Sequence, residues 1–158
     1  MIVKNFNNLI AYKPFNLDIS TNEQNAQTLA GNRVAINSDY WTNGLSAWKG
    51  GANQSGVDGV ALVLSTSTQV EDINTYAFNN IFSAYEITSN SKSVVSHDIG
   101  CAYTRVIVPA ESAVIRSIGL VCSNDENKIL IGLENLAEPV QLTAGQPHTF
   151  SFAIKVSK

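Results

Sequence analysis

Charge is what this sequence has least of. Only 15% of its 158 residues are charged, against roughly 25% in ordinary soluble domains. Ten Lys and Arg set against thirteen Asp and Glu leave a net charge of −3. No two basic residues adjoin, so the basic tracks that bind nucleic-acid backbones are missing. Hydrophobic residues make up 44% of the chain, yet no uncharged apolar run approaches the ~20 residues of a membrane helix. The first residues, MIVKNFNNLIAY, lack an apolar core followed by a small-residue cleavage site, and they read as mature protein.

Metal and redox chemistry are equally short of material. The two cysteines, Cys101 and Cys122, have no CxxC partner, and His97 and His148 are too few for a zinc set. Both cysteines read as reduced, buried thiols. A disulfide between adjacent strands is the alternative, because both fall in predicted strands separated by a turn. Asp58, Asp72 and Asp125 do not have the alternating acidic spacing of a calcium loop.

Catalytic patterns are absent too. GxSxG, GxxxxGK[ST] and HExxH do not occur. His97 and Asp98 are adjacent, and neighbours on a strand point to opposite faces. Glu71-Asp72 and Asp125-Glu126 are adjacent pairs that read as helix-start and turn residues, not as acids facing each other across a cleft. The sequence therefore predicts no enzyme, no cofactor and no bound metal.

Asn, Ser, Thr and Val are what the chain has in quantity. These residues favour turns and strands over long helices. Residues 1–15 carry Ile2, Val3, Phe6, Leu9, Ile10 and Tyr12 at mixed spacing, which suits an arm that docks on something. Residues 15–19 and 33–36 read as short strands. Between them TNEQNAQTLAGN reads as a polar loop or short helix ending at Gly31. The glycine-rich stretch 37–59 holds Tyr40, Trp41 and Trp48 and reads as a packed surface loop. Its aromatics either staple the loop to the core or stack on a sugar or a partner.

From Gly59 onward the pattern sharpens. VALVLSTS over 60–67 is a buried-strand run. Val70, Ile73, Ala77 and Ile81 recur at helical spacing and predict one short helix over 70–82. Strands are predicted at 84–88, 99–108, 113–123 and 128–134, with a further short strand in ENLAEPVQL. In 148–156 the residues alternate: His148, Phe150, Phe152, Ile154 and Val156 on one face, and Thr149, Ser151, Ala153 and Lys155 on the other. The fold class expected is mainly β. It is a single antiparallel β-sandwich or jelly-roll-like domain over 16–158, with an N-terminal arm at 1–15 and at most one short helix.

A family likeness covers roughly residues 55–158. It rests on an aromatic-and-Arg strand (Tyr103-Thr104-Arg105), a small-residue turn (Pro109-Ala110) and an I-x-x-I-G-L strand at 115–120. An L-x-x-P-V-x-L-x-A-G-Q segment at 136–146 and the alternating end at 150–156 complete it. Upstream, SGVDGVALVLSTSTQVEDINTYAF supplies a companion segment. Together these resemble bacteriophage virion structural proteins of the capsid decoration (cement), head-fibre or tail-fibre-attachment kind. The chain departs from that pattern at Ser117, where an acidic residue is common.

The resemblance implies a virion component without enzymatic activity, assembled in the host cytoplasm. Its expected partners are copies of itself, as a trimer or other cyclic oligomer, and virion proteins such as the major capsid protein. Neither nucleic acid nor membrane is expected as a partner. A tail, collar or fibre-attachment role and a glycan-binding role through the Trp loop are the alternatives. The residues expected at contacts are Ile2, Val3, Phe6, Leu9, Tyr12, Tyr40, Trp41, Trp48, Arg105 and Arg116. The two arginines sit on neighbouring predicted strands in a charge-poor chain, where arginine often forms an interface or core-rim pair.

Overall fold

The computed structural model describes residues 1–2, 26–34, 59–86, 92–94, 100–124 and 127–155. Among these, every regular element is a strand. They are β1 (Ala26–Gln27), β2 (Arg33–Val34), β3 (Gly59–Ser65), β4 (Ile81–Glu86), β5 (Lys92–Val94), β6 (Gly100–Ile107), β7 (Ala113–Asn124), β8 (Asn127–Leu142) and β9 (His148–Lys155). A four-stranded sheet runs β4-β3-β7-β8, a three-stranded sheet runs β5-β6-β9, and β1-β2 form a hairpin. Every pairing is antiparallel. The mainly β class expected from composition is the class found.

Two buried clusters explain why the four-stranded sheet is written in nearly continuous apolar residues. Leu62, Leu64, Ile118, Leu120, Cys122, Ile129 and Ile131 belong to one cluster. Val63, Val121, Leu130 and Leu133 belong to the other, together with Phe78. Successive strand residues point to opposite faces, so β3, β7 and β8 bury both. A strand covered on both sides has no polar face to display and loses its alternation.

The three-stranded sheet behaves differently. Ile107, Phe150 and Phe152 join the first cluster, while Val106, Thr149, Ser151 and Ala153 stay exposed. One face is core and the other is open, which is what the alternation in 148–156 predicts. The two sheets approach closely at Gly132. A Cβ there would come within 2.7 Å of Phe152 Cζ, so only glycine lets the ring lie against β8.

Several local expectations change. Residues 70–80 form no helix. Asp72 instead accepts the Asn74 N–H through Oδ1 at 2.7 Å, its carbonyl accepts the Thr75 N–H at 2.9 Å, and the Thr75 hydroxyl reaches Val70 O at 2.9 Å. Side-chain bonds of this kind compete with helix in Asp-, Asn- and Thr-rich segments. Val70 and Ile73, two residues of the expected helical stripe, are exposed, and Phe78 is the buried one. Glu71 and Asp72 are therefore turn residues and not a helix start.

Gly31 ends a hairpin turn, not a helix. Its φ is 86°, its N–H donates to Thr28 O, and Thr28 N–H donates to Asn32 O. The two strands expected over 128–142 are a single long β8 with a bulge. Ser117 faces Asn135 and Ile115 faces Val140, so residues 136–139 lie opposite Arg116 alone. Pro139 has no N–H for the ladder, and a bulge accommodates it.

The outer edge of β8 is partly covered by the same chain. Ile2 bridges Gly132 and Thr28 bridges Ile129. The Met1 amino group donates to Leu133 O at 2.6 Å, and Leu133 N–H returns a bond to Met1 O at 2.9 Å. Cys122 is a buried thiol on β7, whereas Cys101 lies on β6 in the other sheet. β6 and β7 are therefore not paired strands, and the adjacent-strand arrangement expected for a disulfide is not the one found.

Candidate interaction surface

The second face of the four-stranded sheet carries a polar row among its apolar ones. Ser65, Ser117 and Asn135 stand side by side across β3, β7 and β8, and Ser65 and Ser117 have no exposed surface at all. Buried hydroxyls are costly unless bonded, and the segment 66–80 folds over the row to bond them. Gln69 enters from this segment. Its amide nitrogen lies 3.0 Å from Ser65 Oγ, 3.1 Å from Ser67 O and Oγ, and 3.2 Å from Asn79 O and Ser117 Oγ. Its Oε1 accepts the Asn79 N–H at 2.9 Å.

The remaining protons also find acceptors. Ser65 Oγ donates to Asn79 O at 2.6 Å, and Ser117 Oγ donates to Ser67 O at 2.8 Å. Asn135 imitates a strand residue for Gln69. Its Oδ1 accepts the Gln69 N–H at 2.8 Å, and its Nδ2 donates to Gln69 O at 2.9 Å. Nδ2 also donates to Glu71 Oε1 at 2.8 Å. The network clasps both ends of 66–80 to the sheet and is used up in doing so. It leaves no nucleophile paired with a base.

The exposed face of the three-stranded sheet is the other unusual surface. Thr104, Val106, Thr149, Ser151 and Ala153 line it, in the register pairs Thr104–Ser151 and Val106–Thr149. The first pair shares a hydroxyl contact of 3.0 Å. None of the five is charged. The apolar character continues past the strand end: Val106 and Val108 are 60% and 61% exposed, and Val114 on β7 is exposed as well. Three bonds hold the neighbouring turns in place. Gly145 N–H donates to Pro109 O at 2.8 Å, Ala144 N–H to Ser112 Oγ at 3.1 Å, and Thr143 N–H to His148 Nε2 at 3.1 Å.

Of the residues expected at contacts, Val3, Phe6, Leu9, Tyr12, Tyr40, Trp41 and Trp48 lie outside the described residues. Ile2 is partly buried and packs on the first core cluster of its own chain. Arg105 and Arg116 are not neighbours: β6 and β7 belong to different sheets, because the turn at 109–112 crosses between sheets and does not close a hairpin. Arg116 is exposed opposite the β8 bulge. Arg105 is half-buried beside Phe150, and its Nε is buried without a hydrogen-bond partner.

Sequence reasoning did not find the Ser65–Gln69–Ser117–Asn135 network or the exposed valines Val106, Val108 and Val114. The polar run STSTQ directly after VALVL was the available signal for the first. Among the described residues no group of three His, Cys, Asp or Glu could hold a metal, and no helix is long and apolar enough to cross a membrane. No protein-family model, curated protein or solved structure matches this chain.

Proposed function

We propose that this chain is a structural component of a bacteriophage virion, a capsid decoration protein that works by contact with copies of itself and with neighbouring shell proteins. The observation that carries the reading is the stretch of the three-stranded sheet's open face formed by Thr104, Val106, Thr149, Ser151 and Ala153, none of them charged, with Val108 exposed just beyond the strand end. Water-facing sheet surfaces ordinarily carry Lys, Glu and Arg. A face of Thr, Ser, Ala and Val can be covered by another protein without stranding a charge, and the centres of protein interfaces are depleted in charge in the same way. The rigid body behind it suits a part repeated many times around a symmetric shell. The polar network at Gln69 fits a mechanical role, since its groups bond one another instead of converging on an open site.

Quantitative mass spectrometry of purified virions of the phage carrying this sequence tests the reading. Hundreds of copies per particle are expected for shell decoration. A dozen or so would move the protein to the tail or its fibres, and its absence from the particle would end the proposal.

A further inference from the structure

Segment 66–80 displays apolar side chains on a backbone that is fixed. Val70, Ile73 and Tyr76 are 72%, 51% and 37% exposed. Exposed apolar residues scattered singly are ordinary, but these fall close together in the chain. Val70 and Ile73 belong to one closed turn, and Tyr76 follows it. The bonds that close it run from Asn74 N–H to Asp72 Oδ1, from Thr75 N–H to Asp72 O and from Thr75 Oγ1 to Val70 O. The Tyr76 ring rests on Gly31, where an added Cβ would come within 3.3 Å of Cε2. Just before the turn, Asn135 of β8 bonds both the N–H and the carbonyl of Gln69. The apolar side chains are thus held out by an ordered backbone.

The charge in this part of the chain has one sign. Glu71 and Asp72 stand exposed in the turn, and neither the turn nor the strands on either side of it, β3 and β4, contains a Lys or Arg. From residue 50 to residue 91 there are four acids and no base, while the other nine acids stand against ten bases. We infer that the turn at 70–76 is a second contact surface, one that takes a protein segment bearing Lys or Arg beside apolar side chains. Apolar groups with charge at their rim are the make-up of a docking patch, and a basic segment is the partner whose charge complements this one. A turn already ordered within its own chain loses little freedom on binding. Two copies of the turn brought face to face would set acid against acid, which disfavours a self-contact here. The surface lies apart from the β6-β9 face, whose proposed role it does not need. Segment 66–80 covers the side of the four-stranded sheet that holds the second cluster, whereas Phe150 and Phe152 of β9 join the first.

The test uses the full chain and two labelled peptides of equal length, one alternating Lys with Leu and the other Glu with Leu. Peptide anisotropy and the protein's amide chemical shifts are followed together. The Lys-Leu peptide should bind at about 0.1 M salt, bind more weakly at about 1 M, and shift the amide signals of 70–76. The Glu-Leu peptide should not bind. Ile73→Ser should weaken binding about tenfold, as loss of an apolar contact does. Glu71→Gln with Asp72→Asn keeps the acceptors used by Asn135 and Asn74 and removes both charges. That pair should weaken binding at low salt and flatten its salt dependence. Both variants should melt as the wild type does, because the altered groups are exposed. Val106→Ser with Val108→Ser should leave peptide binding unchanged.

Equal binding of the two peptides, or binding of neither, would overturn the inference while leaving the role proposed for the β6-β9 face standing. Shifts centred away from 70–76, or full-strength binding by Ile73→Ser, would overturn it as well. Weaker self-association of Ile73→Ser in sedimentation velocity would also overturn it, because the turn would then be a contact between copies.

Discussion

The β7-β8 pair and the β6-β9 pair are both antiparallel ribbons, yet they are written in different residues. β7 and β8 have apolar clusters on both faces, whereas β6 and β9 have a cluster on one face and an open surface on the other. The first pair reads as runs, IGLVC and ILIGL. The second alternates, as in HTFSFAIK. The comparison teaches that alternation is a record of exposure and not of strand structure itself. It also separates two environments, with β7-β8 enclosed on both faces and β6-β9 open on the one proposed above as the contact side.

The largest break in this comparison is expected at its junction. Phe152 is 2% exposed, and its ring lies over Gly132 of β8, so Phe152→Ala should cost about 3–5 kcal/mol in chemical denaturation. A cost below about 1 kcal/mol would mean that the two sheets are not joined there. A smaller effect is expected at the clasp. Gln69→Ala strips the Asn79 N–H and two buried serines of a partner, and should cost about 2 kcal/mol, the usual penalty for buried groups left unsatisfied. In hydrogen exchange the loss should be confined to segment 66–80 and leave β7 protected. Equal loss of protection across β7 would show that the clasp is part of the scaffold instead of a fastening on it.

Most of the strand content was legible. β3, β6, β7 and β9 lie within a residue or two of where apolar runs and alternation predict them, because burial selects the residue types directly. Pro139 hid the continuity of β8: a proline reads as a strand end, and the bulge that absorbs it is invisible in one dimension. The helix expected over 70–82 failed because Val70, Ile73, Ala77 and Ile81 have a helical period by coincidence, while Asp72, Thr75 and Gln69 bind the backbone into turns. The candidate site was legible only in part. The open face of β9 followed from alternation, but the burial of the Arg105 Nε without an acceptor depends on what lies around it, which a sequence does not list. Its separation from Arg116 likewise depends on the crossing at 109–112 between sheets.

The smallest effect on stability should accompany the largest effect on assembly. Val106→Lys with Ala153→Lys places two charges on the open face, each costing within about 0.5 kcal/mol of stability because both sites are exposed. Sedimentation velocity of this variant beside the wild type is the most direct test of the contact role. The expected result is a protein that melts as the wild type does and no longer self-associates. Association at wild-type strength with both lysines in place would contradict it, since that face would then be bare surface.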